Sequence, residues 1–197
     1  MNNNSSFFYI LCRLKKIFRW NGTNVVETDN VMEHSYRVMV ISYLLYVIRR
    51  KEKLDNPDLG ILLVNAMMHD ATDAILTHIP TNVRDYSDCL KNGYNEAKKK
   101  SLHYIKSMYP KDYLFKELTE DDLIKYIIDE ADLLDGYCKA QREVNLGNKE
   151  FECILKLYND KLENVKKSSV EIEIFLDKFV AEIDLDARYR YLEEKQS

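Results

Sequence analysis

Glycine and proline are scarce in this 197-residue chain, which has 5 Gly and 3 Pro. That is about 4% of the sequence, where globular proteins carry roughly 12%. Sheets folded through many tight turns need those residues, so a turn-rich β-sandwich or barrel is not expected. The glycines, at positions 22, 60, 93, 136 and 147, are never closer than 11 residues apart. Gly-rich phosphate cradles need glycines within a few residues of one another, so that backbone amides can approach the phosphates. The chain has neither a dinucleotide fingerprint nor a P-loop. Any phosphate it handles must be neutralised by other means.

Three further shortages narrow the function classes. The longest nearly apolar run, residues 38–48, is broken by Ser42; a membrane span needs about 18 residues, so no membrane association is expected. The N-terminal MNNNSSFFYILCRLKKIF lacks a charged segment before its short apolar stretch and lacks a small-residue cleavage site, which argues against a secretory signal. Cys12, Cys89, Cys138 and Cys153 never form a CxxC pair, the usage of reduced thiols and a cytoplasmic location. The net charge of −4 comes from 29 basic residues mixed with 33 acidic ones, a balance that does not favour nucleic acid as a partner.

What the sequence does contain is helical periodicity. Residues 7–18 are apolar-rich, and residues 21–30 read as a loop. A helix over 31–53 places Val31, Ser35, Val38, Ser42, Leu45 and Ile48 on one stripe, with Asp29 or Asn30 as N-cap. The next helix opens at Pro57 and Asp58 and runs to about Leu76; it is apolar almost all round between Leu59 and Met68, as expected of a helix in the middle of a bundle. Residues 78–92 read as a long loop with at most a helical turn. A Lys-rich helix over 95–108 is ended by Pro110. A long helix from Thr119 reaches about Leu146, where Gly147 stops it. An amphipathic helix covers 149–166, and Ser168 with Glu171 fits a capping box for a last helix over 170–191. With no repeat and no linker, the expectation is an all-α, single-domain helical bundle over residues 1–197. A core at about 30–147 would be covered by C-terminal helices at 149–195.

The chemistry gathers at few positions. Of the four histidines, His34 lies in VMEHSYRV and His69 directly precedes Asp70 in AMMHDATD. A His-Asp doublet alone is weak, but this one sits in the most apolar helix, where an ionised Asp needs a partner or a metal. Asp132, in YIIDEADLLDGY, has comparable surroundings. Singly, His34 reads as an ordinary helix histidine, and Asp70 and Asp132 as ion-paired or capping residues. Together, two His and two Asp from three helices compose a mixed N/O site for one divalent ion, with positions left for water and substrate. Such an ion would neutralise phosphate where no Gly-rich loop can.

At these residues the sequence resembles the HD-domain metal-dependent phosphohydrolases: a His, an adjacent His-Asp, then a distant Asp. Within them it is similar to the bacterial YfbR-like 5′-deoxynucleotidases. The similarity runs through LCRLKKIFRW, TDNVMEHSYRV, HDATDAILTHIPTNV and ADLLDGYCKAQREVNLGNKEF. The resemblance implies a homodimer and one divalent metal ion per chain (Co²⁺, Mn²⁺, Fe²⁺ or Mg²⁺, with Zn²⁺ also compatible) held by His34, His69, Asp70 and Asp132. It implies hydrolysis of (deoxy)ribonucleoside 5′-monophosphates with a metal-bound water as nucleophile. Arg19 and Asp73 take the catalytic roles, and Arg19, Trp20, Thr77, His78 and Arg84 bind the nucleotide. The sequence departs from the family at two positions: Asp73 stands where Glu is usual, and His78 where Asp is usual near the sugar. The same ligands would also serve an HD-type dNTP triphosphohydrolase, or a helical regulatory protein that binds metal or nucleotide without turnover.

Overall fold

The computed structural model describes residues 6–108, 118, 121–167 and 169–180. They form α1 (Ser6–Leu11), a 3₁₀ segment (Cys12–Lys16), α2 (Val31–Lys51), α3 (Leu59–Met68), α4 (Asp73–Leu76), α5 (Thr81–Arg84), α6 (Asp88–Ser107), α7 (Asp122–Asn145), α8 (Glu150–Lys166) and α9 (Val170–Phe175), which runs on into a π-helical turn (Leu176–Val180). The one β feature among these residues is an isolated antiparallel bridge between Phe18 and Asn30. The all-α architecture inferred from the shortage of Gly and Pro is the one observed.

The helix ends follow capping chemistry. The Asn30 side chain accepts from the Glu33 N–H to open α2, and those of Asp58, Ser87 and Asp121 do the same for α3, α6 and α7. Gly147 stops α7 with φ of +87°, a left-handed conformation that costs glycine little. The expected stripe on α2 is buried throughout: Val31, Ser35, Val38, Ser42, Leu45 and Ile48 all face inward.

Several boundaries differ from the sequence reading. The first helix ends at Leu11 and tightens into the 3₁₀ segment instead of continuing to Phe18. The helical turn allowed for within 78–92 is α5, but α6 already begins at Asp88, seven residues earlier than expected, because Ser87 supplies a cap. Ser169 caps the last helix through the Ile172 N–H, while Glu171 turns inward and ion-pairs with Arg49. Pro110, Thr119, Ser168 and the stretch beyond Val180 lie outside the described residues.

The expected continuous helix over 58–76 is in two pieces, and it is not the centre of the bundle. Gly60 and Met67 on α3 are exposed, and the central pair is α2 and α7, which pack on each other and on α3, α8 and α9. Residues 59–76 are also long and apolar enough to cross a membrane by length and composition, a stretch that the run at 38–48 did not reveal. Here that stretch bends through the turn at 69–72 and buries Leu62, Ala66, Met68 and Ala74 inside the protein. The backbone N–H groups of Ala71, Asp73, Ala74 and Ile75 reach the carbonyls three residues back, not four. This tightening ends α3 at its polar residues and turns His69 and Asp70 toward α2.

A long loop, residues 17–30, crosses from the 3₁₀ segment to α2 and is fastened to α7. The Glu143 carboxylate accepts from the Val26 and Glu27 N–H groups at 2.8 and 3.0 Å, from Asn148 Nδ2 at 2.7 Å and from Lys139 Nζ at 2.7 Å. Lys139 also donates to the Glu27 carbonyl at 2.7 Å. The clamp fixes where Arg19 and Trp20 arrive.

Candidate metal centre

His34 on α2, His69 as C-cap of α3, and Asp70 just beyond converge, with one ligand atom from each lying within 4.8 Å of the others. Nε2 of His34 is 3.1 Å from Nε2 of His69 and 3.5 Å from Oδ2 of Asp70; His69 Nε2 is 3.4 Å from the same oxygen. Asp132 on α7 joins from the His34 side, its Oδ1 3.2 Å from Nε2. Its side chain is 51% exposed and opens to solvent. Atoms bound at about 2.0–2.2 Å to one ion stand about 3.0–3.5 Å from one another along the edges of the coordination polyhedron. The observed separations fall in that range.

The far sides of both rings are tied down. His34 Nδ1 lies 2.7 Å from Asp135 Oδ2, and His69 Nδ1 lies 2.7 Å from the Ala66 carbonyl. A carbonyl oxygen only accepts, so His69 Nδ1 carries a proton and its Nε2 turns a lone pair to the shared point, whereas His34 Nδ1 lies between the Asp135 carboxylate and Arg19 Nη1, which is 2.5 Å away. Two ring nitrogens 3.1 Å apart repel unless a cation or a proton lies between them. The donor set fits a divalent cation. The same crowding of carboxylates acts on the proton: burial and the Arg19 charge would lower the His34 pKa, but the hydrogen bonds that its ring donates to Asp132, Asp135 and Asp70 push it up to about 10.

A layer of charge surrounds the cluster. Asp135 and Asp29 are both buried. Arg37 binds each of them, and Arg19 Nη1 is 3.2 Å from Asp135 and 3.4 Å from Asp29. Arg19 Nη2 faces Asp132 at 3.9 Å, and its Nε is buried without a partner among the described residues. Trp20 follows with φ of +63°, a region that a bulky residue rarely occupies. Its Nε1 points to Asp29 at 3.4 Å, and its ring packs on Phe151 and Tyr158 with centroids 5.1 and 6.5 Å away.

Asp73, at the start of α4, is buried and has both oxygens engaged: His78 Nδ1 lies 3.2 Å from Oδ2, and the Tyr94 hydroxyl donates to Oδ1 at 3.5 Å. Burial and the charges of Asp73 and Asp70 push the Tyr94 hydroxyl up to about 12, so it keeps its proton. Lys98, one turn along α6, brings Nζ to 3.7 Å from Asp70 Oδ1. Arg84 pairs with Asp85 and lies over the Tyr94 ring at 5.8 Å. Thr77 is exposed, with φ of +65°. The structure thus gathers His34, His69, Asp70, Asp132 and Arg19, and sets Asp73 and His78 against each other beside them. Asp29, Arg37, Tyr94 and Asp135 were not singled out as site residues by the sequence reading. Asp135 carried a signal, because it is three residues after Asp132 and so shares its helix face.

An all-α bundle with this His, His-Asp and Asp arrangement defines the class of HD-domain phosphohydrolases. An HD-domain phosphohydrolase from Listeria innocua has the same fold, with a TM-score of 0.75 at 20% identity over 90% of this chain and 87% of that one. An HD phosphohydrolase from cyanophage S-2L, solved with dA and one catalytic Zn²⁺, matches with a TM-score of 0.66 at 13% identity over 88% and 95% of the two chains. Within that class, the family described as 5′-deoxynucleotidase YfbR-like matches residues 6–183. The 4′-phosphooxetanocin A phosphatase of Priestia megaterium is 35% identical over 195 residues, covering 95% of this chain and 99% of its own. The chain belongs to the YfbR-like 5′-deoxynucleotidase family.

Proposed function

We propose that the protein is a metal-dependent phosphohydrolase that removes phosphate from (deoxy)ribonucleoside 5′-monophosphates, using His34, His69, Asp70 and Asp132 as the ligands of one divalent ion. The observation that carries this reading is the pair of Nε2 atoms 3.1 Å apart, each with its ring fixed from behind. A divalent cation at that point supplies Lewis acidity toward a phosphate oxygen and an acidified water. Co²⁺, Mn²⁺, Fe²⁺, Mg²⁺ and Zn²⁺ share these ligand types.

The surrounding residues have separate tasks. Arg19 Nη1 is committed to Asp29 and Asp135, which leaves Nη2, on the Asp132 side, for a phosphate oxygen. Lys98 adds positive charge at Asp70. Trp20 stacks its remaining face on the nucleoside. We read the whole chain as one cytoplasmic domain. For the homodimer, α2 leaves an exposed apolar stripe of Met32, Tyr36, Val40, Tyr43 and Val47 that a second copy would cover.

The test is a panel of ribo- and deoxyribonucleoside mono- and triphosphates with each metal, followed by product analysis. Orthophosphate from the monophosphates, lost in Asp70→Ala, supports the reading. Release of intact tripolyphosphate supports the triphosphohydrolase. Metal binding with no turnover of any nucleotide overturns both.

A further inference from the structure

We propose that Tyr158 on α8 is a further substrate-binding residue, whose hydroxyl donates a hydrogen bond to a phosphate oxygen beside Arg19. The inference rests on the phosphohydrolase reading of the site and adds a residue to it.

Gly136 makes the room for that hydroxyl. It lies inside α7, four residues after Asp132, and so shares its helix face. Glycine weakens a helix interior relative to alanine, and position 136 has no positive φ that would require it. The requirement comes from α8, which packs on α7. A Cβ at 136 would stand 2.3 Å from the Tyr158 hydroxyl oxygen and 2.5 Å from Cζ. Only a residue without a side chain lets the phenol end of Tyr158 lie against α7 there, one turn from a candidate metal ligand.

The surroundings of Tyr158 are those of the site. Trp20 packs beside its ring with centroids 6.5 Å apart, and Lys161 Nζ lies over the ring at 5.5 Å. Burial and the charges of Asp132 and Asp135 push the hydroxyl up to about 12, against the opposing charge of Arg19. It therefore keeps its proton and is a donor. That donor has no hydrogen-bond partner among the described residues. Asp135 gives Oδ1 to Arg37 and Oδ2 to His34 and Arg19. Asp132 turns Oδ1 to His34 and Arg19. Arg19 and Lys161 only donate.

A half-buried hydroxyl left without an acceptor costs stability, and at this place the acceptor arrives with the substrate. Tyr158 borders Trp20 on the nucleoside side and the Arg19–Asp132 pair on the phosphate side. A phosphate monoester dianion presents acceptors alone, and hydrogen bonds to an ionised acceptor are the strong ones. The Tyr158 O–H adds such a bond next to the one that Arg19 Nη2 can make.

The first test uses ligands that cannot turn over. Mn²⁺-loaded wild-type protein and Tyr158→Phe are titrated calorimetrically with inorganic phosphate and, separately, with deoxyadenosine. The variant keeps the ring and its contact with Trp20. It should bind phosphate about 10-fold more weakly, as expected for one hydrogen bond to an anion, and bind deoxyadenosine as the wild type does. Unchanged phosphate affinity, or an equal loss for deoxyadenosine, overturns the assignment. So does a wild-type protein that binds no phosphate.

The second test is kinetic. Phosphate is common to nucleoside monophosphates and p-nitrophenyl phosphate, so Tyr158→Phe should lower kcat/KM for both by about 10-fold. A loss confined to the nucleoside monophosphate overturns phosphate as the partner of the hydroxyl. If the wild-type protein binds phosphate but hydrolyses no nucleoside monophosphate, the nucleotidase reading fails while the titration still decides Tyr158.

Discussion

Asp135 Oδ2 lies 2.7 Å from His34 Nδ1, and both side chains are buried. This contact sets which nitrogen of His34 faces the candidate metal point, and it links that point to Arg37 and Asp29 behind it. Partners of metal-bound histidines commonly change metal affinity 10- to 100-fold when removed. Asp135→Asn should therefore weaken Mn²⁺ or Co²⁺ binding by roughly that factor with the helical content kept. A competitive chelator titration checks the affinity and circular dichroism the fold.

Loading the site should also stabilise the fold. A cation that binds only the native state adds about 2.7 kcal/mol when present at a hundred times its Kd. The melting temperature should rise with Mn²⁺ or Co²⁺ concentration in the wild-type protein. It should stay flat in His69→Ala, which loses one of the two facing ring nitrogens. Differential scanning calorimetry across a metal series decides this.

Gly136 supports the site from below. A Cβ there would meet the Tyr158 hydroxyl at 2.3 Å and its ring at 2.5 Å, so Gly136→Ala forces that ring to swing away. Tyr158 packs beside Trp20, the only tryptophan in the chain. The variant should shift the intrinsic fluorescence and destabilise the protein by about 1–3 kcal/mol. An unchanged emission spectrum would argue that Tyr158 is not what holds the indole.

The loop clamp gives a pH dependence with a defined sign. Burial of Glu143 would raise its pKa, but Lys139, the Val26 and Glu27 N–H groups and Asn148 together lower it from 4.5 to about 2. A depressed carboxylate stabilises the native state fully above its unfolded value and loses that contribution as pH falls toward the folded value. Stability from this group should be complete above about pH 5 and fade toward pH 2, by on the order of 3 kcal/mol. Urea denaturation at stepped pH should show that loss in the wild-type protein. In Glu143→Gln the clamp is already weakened at neutral pH, and the slope should be shallower.

The candidate ligands were legible mainly as a pattern, a His, then a His-Asp doublet in an apolar helix, then a distant Asp, because Asp132 taken alone is one of several acidic residues on its helix. The α2 stripe was legible for the same reason, since burying every third or fourth residue marks the sequence directly. What lay hidden depends on pairing across the chain. Asp29 and Arg37 look like ordinary surface charges until the loop at 17–30 folds back on α2 and α7. Ser87 looked like one more polar residue in a polar stretch, so the start of α6 was misplaced. Asp73 and His78 were each marked as departures from the family pattern, but nothing in linear order showed that the two side chains touch.

Helix α7 carries Asp132, Asp135, Lys139 and Glu143 at spacings of three, four and four residues, so all four lie along one face over about 16 Å of helix. That face holds one end of the candidate metal site and the anchor of the Arg19–Trp20 loop in a single register. A point substitution removes one of these contacts and leaves the others in place. Inserting or deleting a single residue between 132 and 143 would rotate one half of the face by about 100° relative to the other. The candidate metal point and the Arg19–Trp20 loop would then no longer fall on the same side. Length changes should be tolerated in the connections between helices and excluded from this twelve-residue interval, which works as a ruler for the site.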